Sequence, residues 1–421
     1  MVEASRPHID WEGTMKIRRG EWESYSHLFT RLHDPLIPYY RSWTYDAPMV
    51  ITPERDRELA EMHRVLTKAG AYYAAHYQDF LDLIPYEDRI LDLLSYVAPT
   101  PFEAGTARPD FIIGEDGRLL ICEITARFFG NGYFLSFFNE YAGRIMAEEA
   151  GITDRKSRFE DMLAYLAKKP GKARRLTVLK SADKSDSIGL YVPFYAALGL
   201  ACAIIPAGEV EELLHELPGS FIVSALNQKD LLSFSDATLR RLADLGMRND
   251  FRTIFLLHDK RFFRLFAEPR FCSAALTEEE TAFLRAHTIP TYLPAIDPAM
   301  FQKARQDKDA FILKHHCLGK SERVYAGCLT EEAVWERLFA SGEVEDMILQ
   351  PFIHQRPHTT TWKNETITDF VSGTMLSIDD RFFGAGLFRT SSRPVINQAD
   401  AHKISPLVSD QGHKLKECFY L

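Results

Sequence analysis

The sequence predicts an α/β (α+β) fold that contains a small doubly wound parallel sheet. Three observations favour this class. Over residues 173–258, apolar β-forming segments alternate with helical segments, a pattern typical of parallel strands joined by helices. Earlier, two apolar segments flank the turn residues Gly114-Glu115-Asp116-Gly117, which indicates a β-hairpin. Later, the apolar segment Phe311-Ile312-Leu313 ends in Lys314, as a strand with a cation at its end would.

The alternating region supplies the elements of the parallel sheet. We predict strands over 176–179, 201–205, 221–225 and 253–257, and helices over 188–198, 210–214 and 239–245. The first loop after the first strand, residues 180–187, lacks a GxGxxG motif. A dinucleotide-binding interpretation is therefore weak.

The predicted hairpin carries two acidic side chains at the ends remote from its turn. Arg108-Pro109-Asp110 begins the first strand, and Glu123-Ile124-Thr125 ends the second. Side chains alternate along strands, so a shared face would bring both carboxylates together. Two close carboxylates with an arginine nearby form a site for a divalent cation that carries phosphate oxygens. The alternative is a pair of solvated surface acids, but the apolar neighbours of Glu123 favour burial.

A second candidate binding site is the strand–loop–strand segment 314–327, which carries lysine, arginine and glycine residues. Such a loop can fold over a triphosphate with Lys320 turned inward, although an ordinary charged hairpin is the alternative. The segment is not a Walker A sequence. Its His315-His316-Cys317 run could suggest transition-metal binding, but adjacent histidines on a strand point to opposite faces, which argues against such a site.

The amino-terminal hundred residues contain at least one amphipathic helix. Thr52 is a candidate cap with Pro53 at the first turn, and apolar residues recur with helical spacing from Leu59 to Leu66.

Composition narrows the function classes. The 421 residues suffice for two or three domains or one large α/β unit. A net charge of −9 argues against general nucleic-acid binding. Six scattered cysteines without a CxxC pair fit reduced thiols, and no apolar run approaches the roughly 20 residues of a membrane span. We therefore expect a cytoplasmic protein without nucleic-acid or membrane partners, with a homodimer as a possible assembly. Hydrolase chemistry has no GxSxG motif to support it.

The order of these motifs resembles that of the circularly permuted ATP-grasp ligases. The likeness is closest to the synthetase domain of glutathionylspermidine synthetase and more distant to eukaryotic glutathione synthetase. In that family the acidic strands precede the lysine-bearing strands. Here Asp259-Lys260 and Leu313-Lys314 resemble the two lysine motifs, residues 347–353 the adenine-contacting hinge strand, and residues 384–391 the final arginine strand. The resemblance covers roughly residues 105–410.

The resemblance implies an ATP-grasp-like, circularly permuted core that uses ATP and Mg²⁺, and it implies the following site residues. The metal ligands would be Asp110, Glu123 and Thr125, with Thr125 where the family has asparagine. The ATP contacts would be Lys260, Lys314, Lys320, Gln350 and Phe352. The residues that face the reacting groups would be Arg108, Arg127 and Arg389.

The resemblance also implies a division of the chain and a reaction. We predict a helix-rich region (1–104), the metal-binding hairpin with following helices (105–172), a Rossmann-like substrate subdomain (173–258), an ATP-binding subdomain with a lid (259–345) and the remaining core (346–421). The implied reaction joins a small-molecule carboxylate to an amine through an acyl phosphate, with release of ADP and phosphate. A phosphotransferase, or a non-catalytic nucleotide-binding scaffold of the same fold, is the alternative.

Overall fold

The structure is a computed structural model, and it describes residues 22–182, 188–319, 321–363, 365–396 and 402–421. The α-helices are α1 (Tyr25–His33), α2 (Ile37–Ser42), α3 (Pro53–His76), α4 (Asp88–Val97), α5 (Ser136–Ala150), α6 (Phe159–Lys168), α7 (Ile188–Ala197), α8 (Gln228–Ser233), α9 (Asp236–Asp244), α10 (Pro269–Ala275), α11 (Glu278–Ala286), α12 (Pro298–Gln306) and α13 (Glu332–Ala340). The strands are β1 (Met49–Ile51), β2 (Thr106–Ile113), β3 (Leu119–Thr125), β4 (Arg175–Lys180), β5 (Ala201–Pro206), β6 (Ser220–Ala225), β7 (Phe311–His315), β8 (Val324–Ala326), β9 (Met347–Pro351), β10 (His358–Trp362), β11 (Glu365–Ile378), β12 (Arg381–Ala385), β13 (Phe388–Ser391), β14 (His402–Ile404), β15 (Pro406–Val408) and β16 (Phe419–Tyr420).

The largest sheet is antiparallel and is organised around the long strand β11. Its order is β14-β13-β11-β2-β3, and β10 and β12 also pair with β11. The predicted hairpin forms the β2–β3 edge of this sheet. Strand β11 lies between β2 and β13 and pairs with both. Residues almost 280 positions apart in sequence therefore lie in one sheet, on the two strands that flank β11.

The predicted small parallel sheet is present with three strands in the order β5-β4-β6. The prediction of a fourth strand at Thr253–Leu257 is wrong, because these residues form a buried π-helix. A short apolar run carries the same hydrophobic signal in a buried helix as in a buried strand, so periodicity alone cannot separate them. The helix predicted over 210–214 is also wrong, since 3₁₀-helices at Ala207–Glu209 and Leu214–Glu216 flank a turn there.

A third sheet carries the predicted strand–loop–strand segment. Its order is β8-β7-β9, and all its pairings are antiparallel. Helices α12 and α13 cover it through a separate apolar core that includes Phe301, Leu313 and Trp335. This sheet therefore has packing of its own, and it presents Lys314 near the end of β7. Lys320 lies outside the described residues.

One large hydrophobic core draws on all five regions predicted from the sequence. It includes Tyr45, Phe111, Leu179, Phe262 and Met375, one from each region. The region boundaries stay predictions. In the parts of the chain that the structure describes, no helix combines the length and the apolar character that crossing a membrane requires.

The predicted amino-terminal helix is confirmed as α3. The Oγ1 atom of Thr52 accepts a hydrogen bond from the backbone N–H of Arg55 at 3.3 Å, and Pro53 occupies the first turn. The face that carries Leu59 and Leu66 is buried. The helix thus begins at its predicted cap and contributes its apolar face to the large core.

We expect Thr52→Ala to lower the free energy of unfolding by about 1 kcal/mol, because it removes the side-chain acceptor for an otherwise unsatisfied N–H at the helix start. Urea titration measures the change. Thr52→Ser is the matched control, since it keeps the acceptor oxygen. Equal losses in the two variants would contradict the capping role.

Candidate active site

The β2–β3 hairpin places the two predicted acids opposite each other. Asp110 pairs with Glu123, and Arg108 pairs with Thr125, in the antiparallel register of the two strands. A register irregularity follows Asp110, so the pairing resumes at Phe111 with Ile121. The prediction that the hairpin brings both carboxylates to one place is therefore confirmed.

Asp110 is a buried acid held by two arginines. Its carboxylate accepts hydrogen bonds from Arg108 Nε at 3.1 Å and Nη2 at 3.2 Å. It accepts a third, at 2.7 Å, from Arg389 Nη2. Asp110 is only 1% exposed, and a buried carboxylate requires such compensation. Arg389 reaches it because Ser372 of β11 pairs with Arg389 on one side and with Ile112 on the other.

Glu123 lies within a group of cations. Burial alone would raise the pKa of its carboxyl group, but four neighbouring positive charges hold the pKa below its ordinary value. These charges, in decreasing order of effect, belong to Lys260, Arg389, Lys314 and Arg108. The acid is therefore ionised at neutral pH. Its Oε2 atom lies 3.8 Å from Lys260 Nζ, an ion-pair distance that is longer than a hydrogen bond.

Lys260 is held in place from both sides. The side chain is only 2% exposed, and Nζ donates to the carbonyl oxygen of Leu318 at 2.6 Å. Burial, as the largest effect, lowers its pKa, while Glu123 opposes the shift. Its backbone N–H donates to the carbonyl oxygen of His316 at 2.8 Å. The preceding residue, Asp259, caps the 3₁₀-helix Lys260–Ala267.

A cleft opens in front of these charges. Its polar lining includes Asp110, Glu123, Lys314 and Arg389. Its apolar walls are formed by Ile112, Ile289, Ile312, Leu318, Val324, Phe352, Ile353, Val395 and Ile396. The cleft therefore offers both charged groups and apolar surface to a ligand.

The other predicted site residues lie at varying distances from this cleft. Phe352 forms part of its wall, and its backbone N–H donates to the carbonyl oxygen of Ala310 at 2.8 Å. Gln350 is fully buried and donates from Nε2 to Thr291 Oγ1 at 2.9 Å, so its side chain is turned away from the cleft lining. Arg108 supports Asp110 from behind the lining.

Two further predicted residues occupy the surroundings of the hairpin. The guanidinium of Arg127 lies over the ring of Phe128, 4.9 Å from its centroid, and beside Gly319 of the loop between β7 and β8. A Cβ atom on Gly319 would come within 3.0 Å of Arg127 Nη2, so glycine permits this close approach. Thr125 is half-buried on β3 opposite Arg108 and is not among the residues that line the cleft.

Several residues of the cleft were not predicted. Ser372 of β11, Gln355 and the segment Pro394–Ile396 all line it. Gln355 Nε2 donates to the carbonyl oxygen of Pro394 at 2.7 Å, which joins two sides of the wall. The alternation of Ser372 and Thr374 with apolar Val371 and Met375 is the sequence signal that could have indicated a polar face on β11.

Cys122 also lines the cleft. Burial raises the pKa of its thiol to about 12, so the thiol is protonated at neutral pH. A protonated thiol is a poor nucleophile. This agrees with the sequence, which carries no catalytic-cysteine signature.

The expectation that His315 and His316 point to opposite faces is wrong. Their rings are stacked, with centroids 4.9 Å apart and planes inclined by 16°. Strand β7 ends at His315. The alternation of side chains in a strand therefore does not extend to His316.

The donor set of the hairpin fits one magnesium ion. Mg²⁺ prefers carboxylate oxygens and binds through one or two of them together with substrate phosphates. Asp110 already accepts three hydrogen bonds, whereas a carboxylate offers about four acceptor positions. Asp110 and Glu123 can therefore each contribute one oxygen. Thr125 would add only a neutral hydroxyl.

Comparison with solved structures identifies the fold. A glutathione synthetase-like effector from Globodera pallida, in its apo form, superposes with a TM-score of 0.52 at 13% sequence identity. The alignment covers 86% of this chain and 89% of the effector. This chain has a glutathione synthetase-like fold. The predicted resemblance and the predicted ATP-grasp-like α/β class are thus confirmed at the level of the fold.

A second solved structure and one family model also match this chain. A putative gamma-glutamylcysteine synthetase from Methylobacillus flagellatus KT aligns over 82% of this chain and 88% of its own, with a TM-score of 0.38 and 10% identity. Residues 62–256 match the family model described as the AnkG N-terminal domain. No curated protein sequence matches this chain.

Proposed function

We propose that this protein is an ATP-dependent carboxylate–amine ligase that forms an amide bond through an acyl phosphate and releases ADP and phosphate. The observation that carries the proposal is the charged lining of the cleft. The buried Asp110, the half-buried Glu123, a lysine and an arginine from β2, β3, β7 and β13 converge there beside apolar walls. This combination suits a nucleotide whose phosphates need neutralising charge and whose base needs an apolar surface. The glutathione synthetase-like fold supports the same assignment.

The proposed roles follow from the positions of the charges. Lys314 contacts the phosphates from the cleft, and Lys260 supplies positive charge behind Glu123. Arg389, which is 24% exposed while it binds Asp110, offers its remaining N–H groups to the transferring phosphoryl group. Asp110 and Glu123 would hold Mg²⁺, which when bound neutralises charge on the phosphates. Phe352 and its apolar neighbours enclose the base.

The proposed reaction consists of two successive displacements. A carboxylate oxygen of the acid substrate attacks the γ-phosphorus of ATP, the bond from that phosphorus to the bridging oxygen breaks, and ADP leaves. The amine nitrogen then attacks the acyl carbon, the bond from that carbon to the phosphate oxygen breaks, and phosphate leaves with loss of one amine proton to solvent. In the first step the protein contributes position and charge.

The products test this proposal. Incubation with ATP, Mg²⁺, hydroxylamine and a set of candidate acids should yield a hydroxamate, and phosphorus NMR should find ADP and orthophosphate. A stable phosphorylated acid would instead indicate a phosphotransferase. AMP with pyrophosphate would exclude the acyl-phosphate route. ATP binding without any product across a metabolite extract would favour the non-catalytic scaffold.

We expect Lys314→Ala to weaken ATP binding by about 10- to 100-fold. Loss of a charged hydrogen bond costs about 1.5–3 kcal/mol, and Lys314 is only half-buried in the cleft wall. Calorimetric titration with a non-hydrolysable ATP analogue measures the affinity. Lys303→Ala, on the exposed face of α12, is the matched control. Unchanged affinity in the Lys314 variant would contradict the phosphate contact.

Lys260→Ala should behave differently from Lys314→Ala. Lys260 is buried beside Glu123 and bonded to the carbonyl oxygen of Leu318. Its removal leaves the half-buried carboxylate of Glu123 with less compensation, so both stability and affinity should fall. Thermal unfolding measured beside the calorimetric titration separates the two effects.

A further inference from the structure

Three potential metal ligands lie side by side at the end of β7. His315, His316 and Cys317 each offer one ligand atom, and these atoms all lie within 4.8 Å of one another. The stacked arrangement of the two imidazoles turns both toward the same region. All three residues are half-buried, so solvent can deliver an ion to them.

The spacing between His315 and Cys317 suits a tetrahedral ion. Cys317 Sγ lies 3.6 Å from His315 Nδ1. With zinc bond lengths of about 2.3 Å to sulfur and about 2.0–2.1 Å to nitrogen, two ligands at a tetrahedral angle are about 3.5 Å apart. The backbone N–H of Cys317 also donates to this Nδ1 at 3.3 Å, a long hydrogen bond that a bound ion would replace. The ligand atoms therefore already stand close to the separation that an ion would impose.

His316 has the support that metal-binding histidines usually have. Its Nδ1 lies 3.0 Å from Oδ2 of Asp259, which is only 2% exposed. A ligating histidine almost always bonds its second ring nitrogen to a carboxylate or carbonyl, which fixes the ring and raises its basicity. This contact leaves Nε2 of His316 for an ion. Asp259 is itself fixed by Arg261.

We propose that His315, His316 and Cys317 bind a divalent ion of the zinc class. Two imidazole nitrogens and a thiolate are the donors that Zn²⁺ prefers, whereas the oxygen donors of Asp110 and Glu123 suit Mg²⁺. On binding, the Cys317 thiol loses its proton to solvent. Three protein ligands leave a fourth position for water or an added ligand. The site is thus separate in chemistry from the cleft.

Titration of the full chain with Zn²⁺, in the presence of excess Mg²⁺ to occupy oxygen sites, tests the proposal. We expect one Zn²⁺ per chain. Loss of even an outer partner of a metal site costs about 10- to 100-fold in affinity, so Cys317→Ser should weaken binding by at least about 100-fold. Cys328→Ser, at an exposed cysteine in a nearby 3₁₀-helix, is the matched control and should bind as the parent protein does.

Cobalt supplies an independent readout. Co²⁺ in place of Zn²⁺ should produce a thiolate charge-transfer absorption that is lost in Cys317→Ser and kept in Cys328→Ser. His315→Gln provides a second ligand deletion, and circular dichroism establishes that each variant is folded. The proposal is overturned if folded Cys317→Ser and His315→Gln bind Zn²⁺ as tightly as the parent chain does, or if the parent chain binds none. Neither measurement requires nucleotide, so the result is independent of the ligase proposal.

Discussion

Replacing Glu123 with glutamine should lower turnover by at least about 100-fold while the protein remains folded. The substitution keeps the shape of the side chain and removes one of the two anionic oxygen donors opposite each other on β2 and β3. A bound metal supplies several kcal/mol of transition-state charge stabilisation, and about 2.7 kcal/mol already corresponds to a hundredfold change in rate. The loss should therefore appear in kcat.

The cations around Glu123 give a second reason to expect this loss of turnover. Four cations surround Glu123 and hold its pKa low, so the negative charge is present throughout the neutral range. A neutral amide would leave these cations with less compensation and would weaken the attraction of the site for Mg²⁺. Nucleotide affinity measured without Mg²⁺ should then fall much less than affinity measured with it.

Glu115→Gln is the matched control for this prediction. Glu115 belongs to the turn of the same hairpin but is exposed, so the same chemical change there should leave turnover unaltered. Steady-state release of ADP measures both variants, and thermal unfolding establishes that both are folded. If Glu123→Gln turned over within about threefold of the parent protein, the metal role of Glu123 would be wrong.

The hairpin could be predicted from sequence because its determinants are local. Gly114 and Gly117 mark the turn, and alternation along two short strands then brings Asp110 to Glu123. The prediction needed no knowledge of the rest of the chain. The same holds for α3, whose cap and apolar stripe are contiguous in sequence.

Other features of the site depend on packing that the sequence does not reveal. Residues 251–257 contain aromatic and β-branched residues typical of a strand, yet the run is buried from every side in helical form. Gln350 lies on a correctly predicted strand, but contact with Thr291 turns its side chain away from the cleft. A strand assignment alone does not decide which of its two faces meets the ligand.

A long-range feature of the site is the contact between Asp110 and Arg389, which are 279 positions apart. It exists because β11 pairs with β2 on one side and with β13 on the other. Local sequence patterns carry no information on that pairing, and only the order of motifs in the ligase family that the sequence resembles suggested that the two strands share a site. The stacked His315 and His316 illustrate the opposite case, where a local rule failed because the strand ended one residue early.

Arg389→Lys should lower turnover by about 100- to 1,000-fold and leave ATP affinity nearly unchanged. Removal of one donor aimed at developing transition-state charge costs this much in kcat. Lysine keeps the positive charge, so the ground-state attraction for phosphates persists. It lacks the planar fork with which a guanidinium can bind Asp110 through one N–H and present others to the γ-phosphoryl group.

If Arg389 contacts the transferring phosphoryl group, turnover should fall while ATP affinity stays nearly unchanged. A purely structural role would not produce this difference. Asp110 retains two hydrogen bonds from Arg108 in the variant, so the buried carboxylate stays compensated and the fold should persist. Arg305→Lys alters a guanidinium–carboxylate pair with exposed Glu336 and is the matched control. Single-turnover measurement of ADP formation isolates the transfer step from product release. A loss of affinity equal to the loss of turnover would mean that Arg389 binds nucleotide in the ground state, and an unfolded variant would mean that its main role is to compensate Asp110.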